Sequence, residues 1–155
     1  MLSDDYISPI RKFNIQLLAL LCLTIAPAWA ETCSIKFDNG TELQVPYTTN
    51  LDRQQKGLSG RKDVGAGLLM VFEKPAVRGV WMKDTPVALD AAFIAMNGGI
   101  NSIQAMQPNT TTSHYAFTPS VAILETPATW LKRQNITVKN KIISSSCFSI
   151  TAQQP

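Results

Sequence analysis

Charged residues and histidine are both scarce in this sequence. Only 16% of its 155 residues are Asp, Glu, Lys or Arg, the net charge is +3 at pH 7, and His114 is the single histidine. The charges are scattered and form no block of one sign. This composition argues against a nucleic-acid-binding surface or a basic face for an anionic membrane. We therefore expect no nucleic-acid partner.

The common catalytic motifs are absent as well. The sequence contains no GxSxG nucleophile motif, no Walker phosphate-binding loop and no dinucleotide-binding glycine pattern. It also has no internal repeat and no low-complexity segment. A reaction type therefore cannot be assigned from a motif, and any site has to be argued from individual side chains.

The first 30 residues have the pattern of a secretory signal peptide. Arg11 and Lys12 precede an apolar stretch from Phe13 to Ile25, and Ala28-Trp29-Ala30 is a small-x-small cleavage site. This stretch is shorter than the roughly 20 residues that a membrane-spanning helix needs. We expect residues 1–30 to be removed and residues 31–155 to form one domain, periplasmic or secreted. The alternative is an uncleaved N-terminal membrane anchor.

Cleavage would leave two of the three cysteines. Cys22 would be lost, while Cys33 lies near the start of the mature chain and Cys147 near its end. Because exported proteins meet an oxidising environment, we predict a disulfide between Cys33 and Cys147; two free thiols are the alternative. With both cysteines in a bridge, carboxylates would have to complete any zinc site around His114. We therefore predict no metal and no other cofactor.

Short strands dominate the rest of the pattern. Apolar residues alternate on both sides of Asn39-Gly40, which is typical of a β-hairpin with a tight turn. Further strands are predicted at residues 68–72, 77–82, 87–96, 100–106, 121–124 and within 136–150. About eight strands with two short helices indicate a mainly β fold, a small closed or half-closed barrel.

Two short helices are predicted between these strands. The first runs from Leu51 to Lys56, begins behind Thr49 or Asn50 and ends at Gly57. The second has Thr126 as its N-cap and Pro127 as its first residue, and it ends near residue 134.

One carboxylate interrupts an otherwise apolar strand. An unpaired, ionised Asp90 within residues 87–96 would cost several kcal/mol. We therefore expect it to be paired with Arg61, Arg78 or Lys83, or with backbone N–H groups of the turn at residues 83–86. It is either a structural anchor that fixes the register or a group that acts in a cleft.

A candidate cleft surrounds the same stretch. Trp81 and Met82 should point to opposite faces of their strand, so that one belongs to the core and the other is free to form a wall. The cleft is predicted to be lined by Arg61, Arg78, Trp81, Lys83, Asp84 and Asp90, with residues 108–119 as a lid. Arg61 and Lys83 would hold an anionic or polar group.

Three classes of function remain open at this point. The leading hypothesis is an exported binding or accessory domain, monomeric, for a small molecule or a cell-envelope ligand. The second is a small hydrolase-like enzyme in which Asp90 or Asp84 acts as acid or base, assisted by Lys83 or His114. The third is a structural or assembly protein without a small-molecule site. For each of these side chains, a purely structural role is the simpler alternative.

The order of several segments resembles a known family. Trp81-Met82-Lys83-Asp84-Thr85 followed by Leu89-Asp90 is the most specific segment, and the likeness extends from about Thr41 to Ile143. The sequence is similar to the bacterial and archaeal proteins grouped as domain of unknown function 192. The resemblance implies a compact, mainly β domain that is often exported, and it implies no reaction. The family usually has asparagine where Asp84 stands.

Overall fold

The computed structural model describes residues 31–151. The predicted signal peptide, residues 1–30 with Cys22, lies outside the described residues and stays a prediction. Between residues 31 and 151, no helix is both long and apolar enough to cross a membrane.

Nine strands and two short helices make up the regular structure of this part of the chain. The strands are β1 (Glu31–Phe37), β2 (Glu42–Thr48), β3 (Leu68–Ala76), β4 (Gly79–Val80), β5 (Leu89–Ile94), β6 (Ile100–Met106), β7 (His114–Tyr115), β8 (Ser120–Pro127) and β9 (Ile142–Ser145). The helices are α1 (Leu51–Lys56) and α2 (Trp130–Arg133).

Seven of the strands form one curled sheet. Their order is β6-β5-β8-β3-β2-β1-β9, and β4 and β7 form a separate two-stranded ladder. The β2–β3 pair is parallel, whereas the other pairs are antiparallel. The two edges of the sheet meet at one end, where the N–H of Ile142 donates to the carbonyl of Gly98 at 2.8 Å. The expected mainly β half-barrel is confirmed.

The two faces of the sheet pack into two separate apolar clusters. The first cluster draws on the strands of the whole sheet and includes Leu131 of α2. The second lies on the other face of β3, β5, β6 and β8, and it includes Leu58 and Met82 from the connecting segments. Strand β8 contributes to both clusters, and seven of its eight residues are buried.

Local sequence signals account for the first hairpin and the first helix. Gly40 has a φ of +89° in the turn between β1 and β2, a conformation that glycine adopts without strain. Helix α1 begins behind Asn50, whose side chain accepts the N–H of Arg53 at 3.0 Å, and it ends at Gly57. Both predictions are confirmed.

The prediction for the second helix is wrong at its start. Thr126 and Pro127 belong to β8, where they pair with Asp90 and Leu89 of β5. Helix α2 begins only at Trp130. The sheet ladder continues through the residues that resemble a helix start because β5 provides hydrogen-bonding partners for them.

Two strands are shorter than predicted. The segment 77–82 is a strand only at Gly79–Val80, since the chain leaves the ladder and the N–H of Met82 donates to the carbonyl of Thr110 at 3.0 Å. The segment 87–96 is a strand from Leu89 to Ile94, and an Asn97-Gly98 turn leads from it towards β6. The loop 108–119 contains the short strand β7.

The predicted disulfide is present. Cys33 in β1 is bonded to Cys147, which follows β9, with a sequence separation of 114 residues. The bridge ties the outer strands β1 and β9 together at the far edge of the sheet. It therefore closes almost the whole domain into a covalent loop.

Removing this bridge should lower stability substantially. In the loop-entropy model, releasing a loop of this length lowers the free energy of unfolding by about 4 kcal/mol. The double variant Cys33→Ala with Cys147→Ala, unfolded in urea and followed by tryptophan fluorescence, should show this loss. Reduced wild-type protein is the matched control and should behave like the variant. An unchanged unfolding midpoint would contradict the structural role of the bridge.

Candidate functional site

Strand β8 presents alternate side chains to the two faces of the sheet. Glu125 is paired with Ala91 on β5 and with Leu68 on β3, and it points to the face of the second cluster together with Ile123. Thr126 points to the other face. The sheet geometry therefore places a carboxyl group in the middle of an apolar surface.

A cleft of about 780 Å³ lies over this part of the sheet. Its floor is formed by Met70 and Phe72 of β3 with Ile123 and Glu125 of β8. One wall is α1 with the following turn, and the other is made by residues 77–85 with Tyr115 of β7. The volume lies within the range of small-molecule sites, roughly 300–1,000 Å³.

Glu125 is the most unusual group in the cleft. Its side chain is buried with 4% exposure, and Oε2 has no hydrogen-bond partner. Burial raises the pKa of the Glu125 carboxyl from its ordinary value of 4.5 to about 7, because the apolar surroundings disfavour the charged form. A buried, unpartnered carboxyl that titrates near neutrality in a cleft is a candidate functional group.

Two cationic side chains, Lys83 and Arg78, line the same cleft. Lys83 is exposed, and its Nζ lies 6.0 Å from the centre of the Trp81 ring. Arg78 is half-buried; its guanidinium carbon lies 3.8 Å from the centre of the Phe72 ring, and its Nη2 donates to the carbonyl of Lys74 at 3.0 Å. Both cations therefore lie beside aromatic surfaces.

The predicted opposition of Trp81 and Met82 is observed. Met82 is fully buried in the second cluster, whereas Trp81 is 52% exposed and lines the cleft. Tyr115 packs over Gly79, where a Cβ atom would lie 2.4 Å from its ring. The loop 108–119 thus contributes Ser113 and Tyr115 to the wall.

A second cleft of about 520 Å³ lies on the other side of the turn that follows α1. Arg61 lines this second cleft and not the first. Asp84 lines both clefts, and its φ of +54° places its backbone in the left-handed region. Asparagine and aspartate tolerate that conformation better than most residues.

The structure separates Asp90 from the predicted cleft. Asp90 is buried and lies on the opposite face of β5 from Ala91, so it lines neither cleft. Its Oδ2 accepts the backbone N–H of Thr129 at 2.7 Å. The partner is thus a backbone N–H of the turn before α2 and not of the expected turn at residues 83–86. Asp90 thereby holds the start of α2 against the sheet.

The predicted site residues thus divide into three groups. Arg78, Trp81, Lys83 and Asp84 lie together in the first cleft, Arg61 lies in the neighbouring cleft, and Asp90 and His114 line neither of them. His114 is half-buried in β7, where it pairs with Val80. Within residues 31–151, no three His, Cys, Asp or Glu side chains are grouped so as to hold a metal ion.

Glu125 was not among the predicted site residues, because it follows an apolar run and a polar residue at that place is typical of the end of a strand. The strand continues through Glu125 and Thr126 to Pro127. One signal was present in the sequence. Glu125 lies two residues after Ile123, so a strand that continued to residue 125 would place both side chains on the same face.

These features define a small β half-barrel with a cleft on the outer side of its central strands. The chain belongs to the DUF192 family, described as uncharacterized ACR, because the family's sequence model matches residues 34–143. The resemblance predicted from the sequence is confirmed.

Solved structures share this fold. A proposed transcription regulator from Sinorhizobium meliloti 1021 superposes with a TM-score of 0.66 at 24% identity, covering 72% of this chain and 91% of that one. A protein of unknown function from Novosphingobium aromaticivorans DSM 12444 has a TM-score of 0.64 at 23% identity, covering 74% of this chain and 85% of that one. No curated protein is significantly similar in sequence. At this identity the structures establish the fold alone.

Glu125 should make stability depend on pH. The unfolded chain ionises this carboxyl near 4.5 and the folded chain near 7, so its contribution is complete below pH 4.5 and is lost as pH rises through 7. The loss is about 3 kcal/mol. Urea unfolding at pH 4 and pH 8 should show this pH-dependent loss for the wild type and for the exposed control Glu73→Gln, but not for Glu125→Gln. The same pH dependence in Glu125→Gln would contradict the burial effect.

Asp90 should contribute to the stability of the fold and not to the lining of either cleft. The variant Asp90→Ala removes the acceptor for the Thr129 N–H and should lower the free energy of unfolding by about 2 kcal/mol, while Asp90→Asn, which keeps an acceptor oxygen, should lose less. Urea unfolding of both variants measures the difference. Full stability of Asp90→Ala would contradict the anchoring role.

Proposed function

We propose that this chain is a cell-envelope domain that binds a small polar ligand carrying an anionic group, and that the first cleft is its binding site. The observation that carries the proposal is the arrangement of that cleft. It combines aromatic surfaces, cations beside them and one buried carboxyl in a volume of about 780 Å³. Ligand sites typically have mostly apolar walls with a few polar groups that fix orientation.

The charge of the cleft favours an anionic group on the ligand. Lys56, Arg78 and Lys83 line it together with a single exposed acid, Asp84. Burial raises the pKa of Glu125 to about 7, so near neutral pH its negative charge offsets the positive charge of these cations only in part. Lys83 would hold the anionic group while Trp81 packs against an apolar part of the ligand.

A location outside the cytoplasm is part of the same proposal. The Cys33–Cys147 disulfide is compatible with export, since such bridges persist in oxidising compartments. The signal-peptide pattern of residues 1–30 supports it independently. A mass measurement on the protein isolated from the cell envelope tests both, because it should show a chain beginning at Glu31 and lacking two thiol hydrogens.

An enzymatic role could still use Asp84 and Lys83, but neither Asp90 nor His114 lines the first cleft. Asp90 is outside the cleft, so the acid and base groups available within it are Glu125 and Asp84. The raised pKa of Glu125 suits a general acid or base. Glu125 is therefore the stronger candidate of the two carboxyls, and Glu125→Gln is the variant that tests it.

Ligand-induced stabilisation should depend on the side chains of the first cleft. In a thermal-shift screen of the mature domain against anionic metabolites and cell-wall fragments, a ligand raises Tm by mass action. Lys83→Ala and Trp81→Ala should weaken binding about tenfold or more, since each removes a contact of about 1.5 kcal/mol or more. Both side chains are exposed, so the Tm of the unliganded protein should change little.

The matched control is Lys132→Ala. Lys132 is an exposed lysine of α2 that lines neither cleft, so this variant should keep the full ligand-induced shift. Compounds that stabilise Lys83→Ala and Trp81→Ala as strongly as the wild type would count against this cleft as the binding site.

A further inference from the structure

The floor and the rim of the first cleft differ in solvent exposure and in charge. At the floor, Glu125 is buried with an unpartnered Oε2. At the rim, Lys56, Lys83 and Asp84 are exposed. Desolvation is what shifts the titration of Glu125, and no charged neighbour offsets it. The cleft therefore places an uncompensated acceptor at one end and solvated cations at the other.

We infer that the ligand is zwitterionic: its ammonium group reaches Glu125 at the floor of the cleft while its anionic group is held by the cations at the rim. This inference rests on the proposed function, and it deepens it by naming the chemical class of the ligand. It goes beyond an anion site because it gives the buried carboxyl a partner.

An ammonium group fits the floor better than other polar groups. A buried carboxylate without a partner is unfavourable, and a cation in low-dielectric surroundings offsets that penalty more strongly than a neutral donor does. A second anionic group would instead bring like charge against Glu125. The ligand end that faces Glu125 is therefore the positive one.

Gly57, in the turn after α1, lines the same cleft as Glu125. A Cβ atom at Gly57 would lie 3.7 Å from Glu125 Oε2, in ordinary van der Waals contact with it. A side chain at this position would occupy the space beside the carboxyl. Gly57 also has a φ of +50°, so the absence of a side chain suits the turn and keeps this position clear beside Glu125.

The other titratable groups that line the cleft are Lys56, Arg78, Lys83, Asp84 and Tyr115. Among the described residues, none of these five donates a hydrogen bond to Glu125 Oε2. Binding of an ammonium group favours ionised Glu125, so below pH 7 binding must release a proton from it. The affinity for a zwitterion should consequently rise with pH through 7.

Three flexible probes of matched chain length test the inference. The probe ε-aminohexanoate carries both charges, hexanoate carries only the anion and hexylamine carries only the ammonium group. Titration calorimetry on the wild-type mature domain should rank ε-aminohexanoate first. Its affinity should rise about tenfold from pH 6 to pH 8, as the ionised fraction of a group with a pKa of about 7 does.

Glu125→Gln is the decisive variant, with Glu73→Gln as its exposed control. Circular dichroism verifies that both are folded. In Glu125→Gln, ε-aminohexanoate should bind no more tightly than hexanoate, and its pH dependence should disappear. The control should keep the preference and the pH dependence of the wild type.

Each contrary outcome has a distinct meaning. Equal binding of hexanoate and ε-aminohexanoate to the wild type would overturn the inference and leave the anion site standing. Affinity for ε-aminohexanoate that falls from pH 6 to pH 8 would show that Glu125 acts as a proton donor, which also overturns it. Equal binding of hexylamine and ε-aminohexanoate would overturn the role of the rim cations. No binding of any probe at tens of millimolar would count against the proposed function itself.

Discussion

The central position of β8 is the constraint on which the rest of the structure depends. This strand lies between β5 and β3, and both faces of the sheet are covered by apolar clusters at that point. Every polar side chain on β8 must therefore find a partner or remain poorly solvated. Glu125 Oε2 and Thr126 Oγ1 are both buried without a hydrogen-bond partner, one on each face of the strand. Of the two groups, the carboxyl incurs the larger penalty, and it is the one that opens onto a cleft.

The cleft follows from how the second cluster is covered. Within residues 31–151, the covering of this face comes from α1 with its turn, the segment 77–85 and the two-stranded ladder of β4 with β7. These pieces leave a gap above Met70 and Ile123. The conformations that shape the gap are those of turns, as the left-handed backbone of Gly57 and Asp84 shows. Charged side chains at the rim of the gap are exposed to water, whereas the floor is apolar apart from Glu125. Solvent exposure therefore decreases from the rim to the floor.

Much of the fold could be predicted from the sequence, and the errors have a common physical origin. The Asn39-Gly40 hairpin, the limits of α1 and the disulfide depend on local chemistry or on the cysteine count, and they were predicted correctly. The face of β5 on which Asp90 lies and the residue at which α2 begins both depend on how the strands pair. When both faces of a strand are apolar, alternation cannot tell which face meets a cleft. Asp90 interrupts an apolar run and Glu125 follows one, yet it is Asp90 that anchors a turn and Glu125 that lies in the cleft.

The state of the Glu125 carboxyl is the central claim of this account. The most direct measurement is its titration in the folded mature domain, followed through the carboxyl carbon by ¹³C NMR and assigned with Glu125→Gln. We expect a midpoint of about 7, well above that of an exposed glutamate. A midpoint near 4.5 would show that the carboxyl is solvated or paired, and it would contradict the account of the cleft.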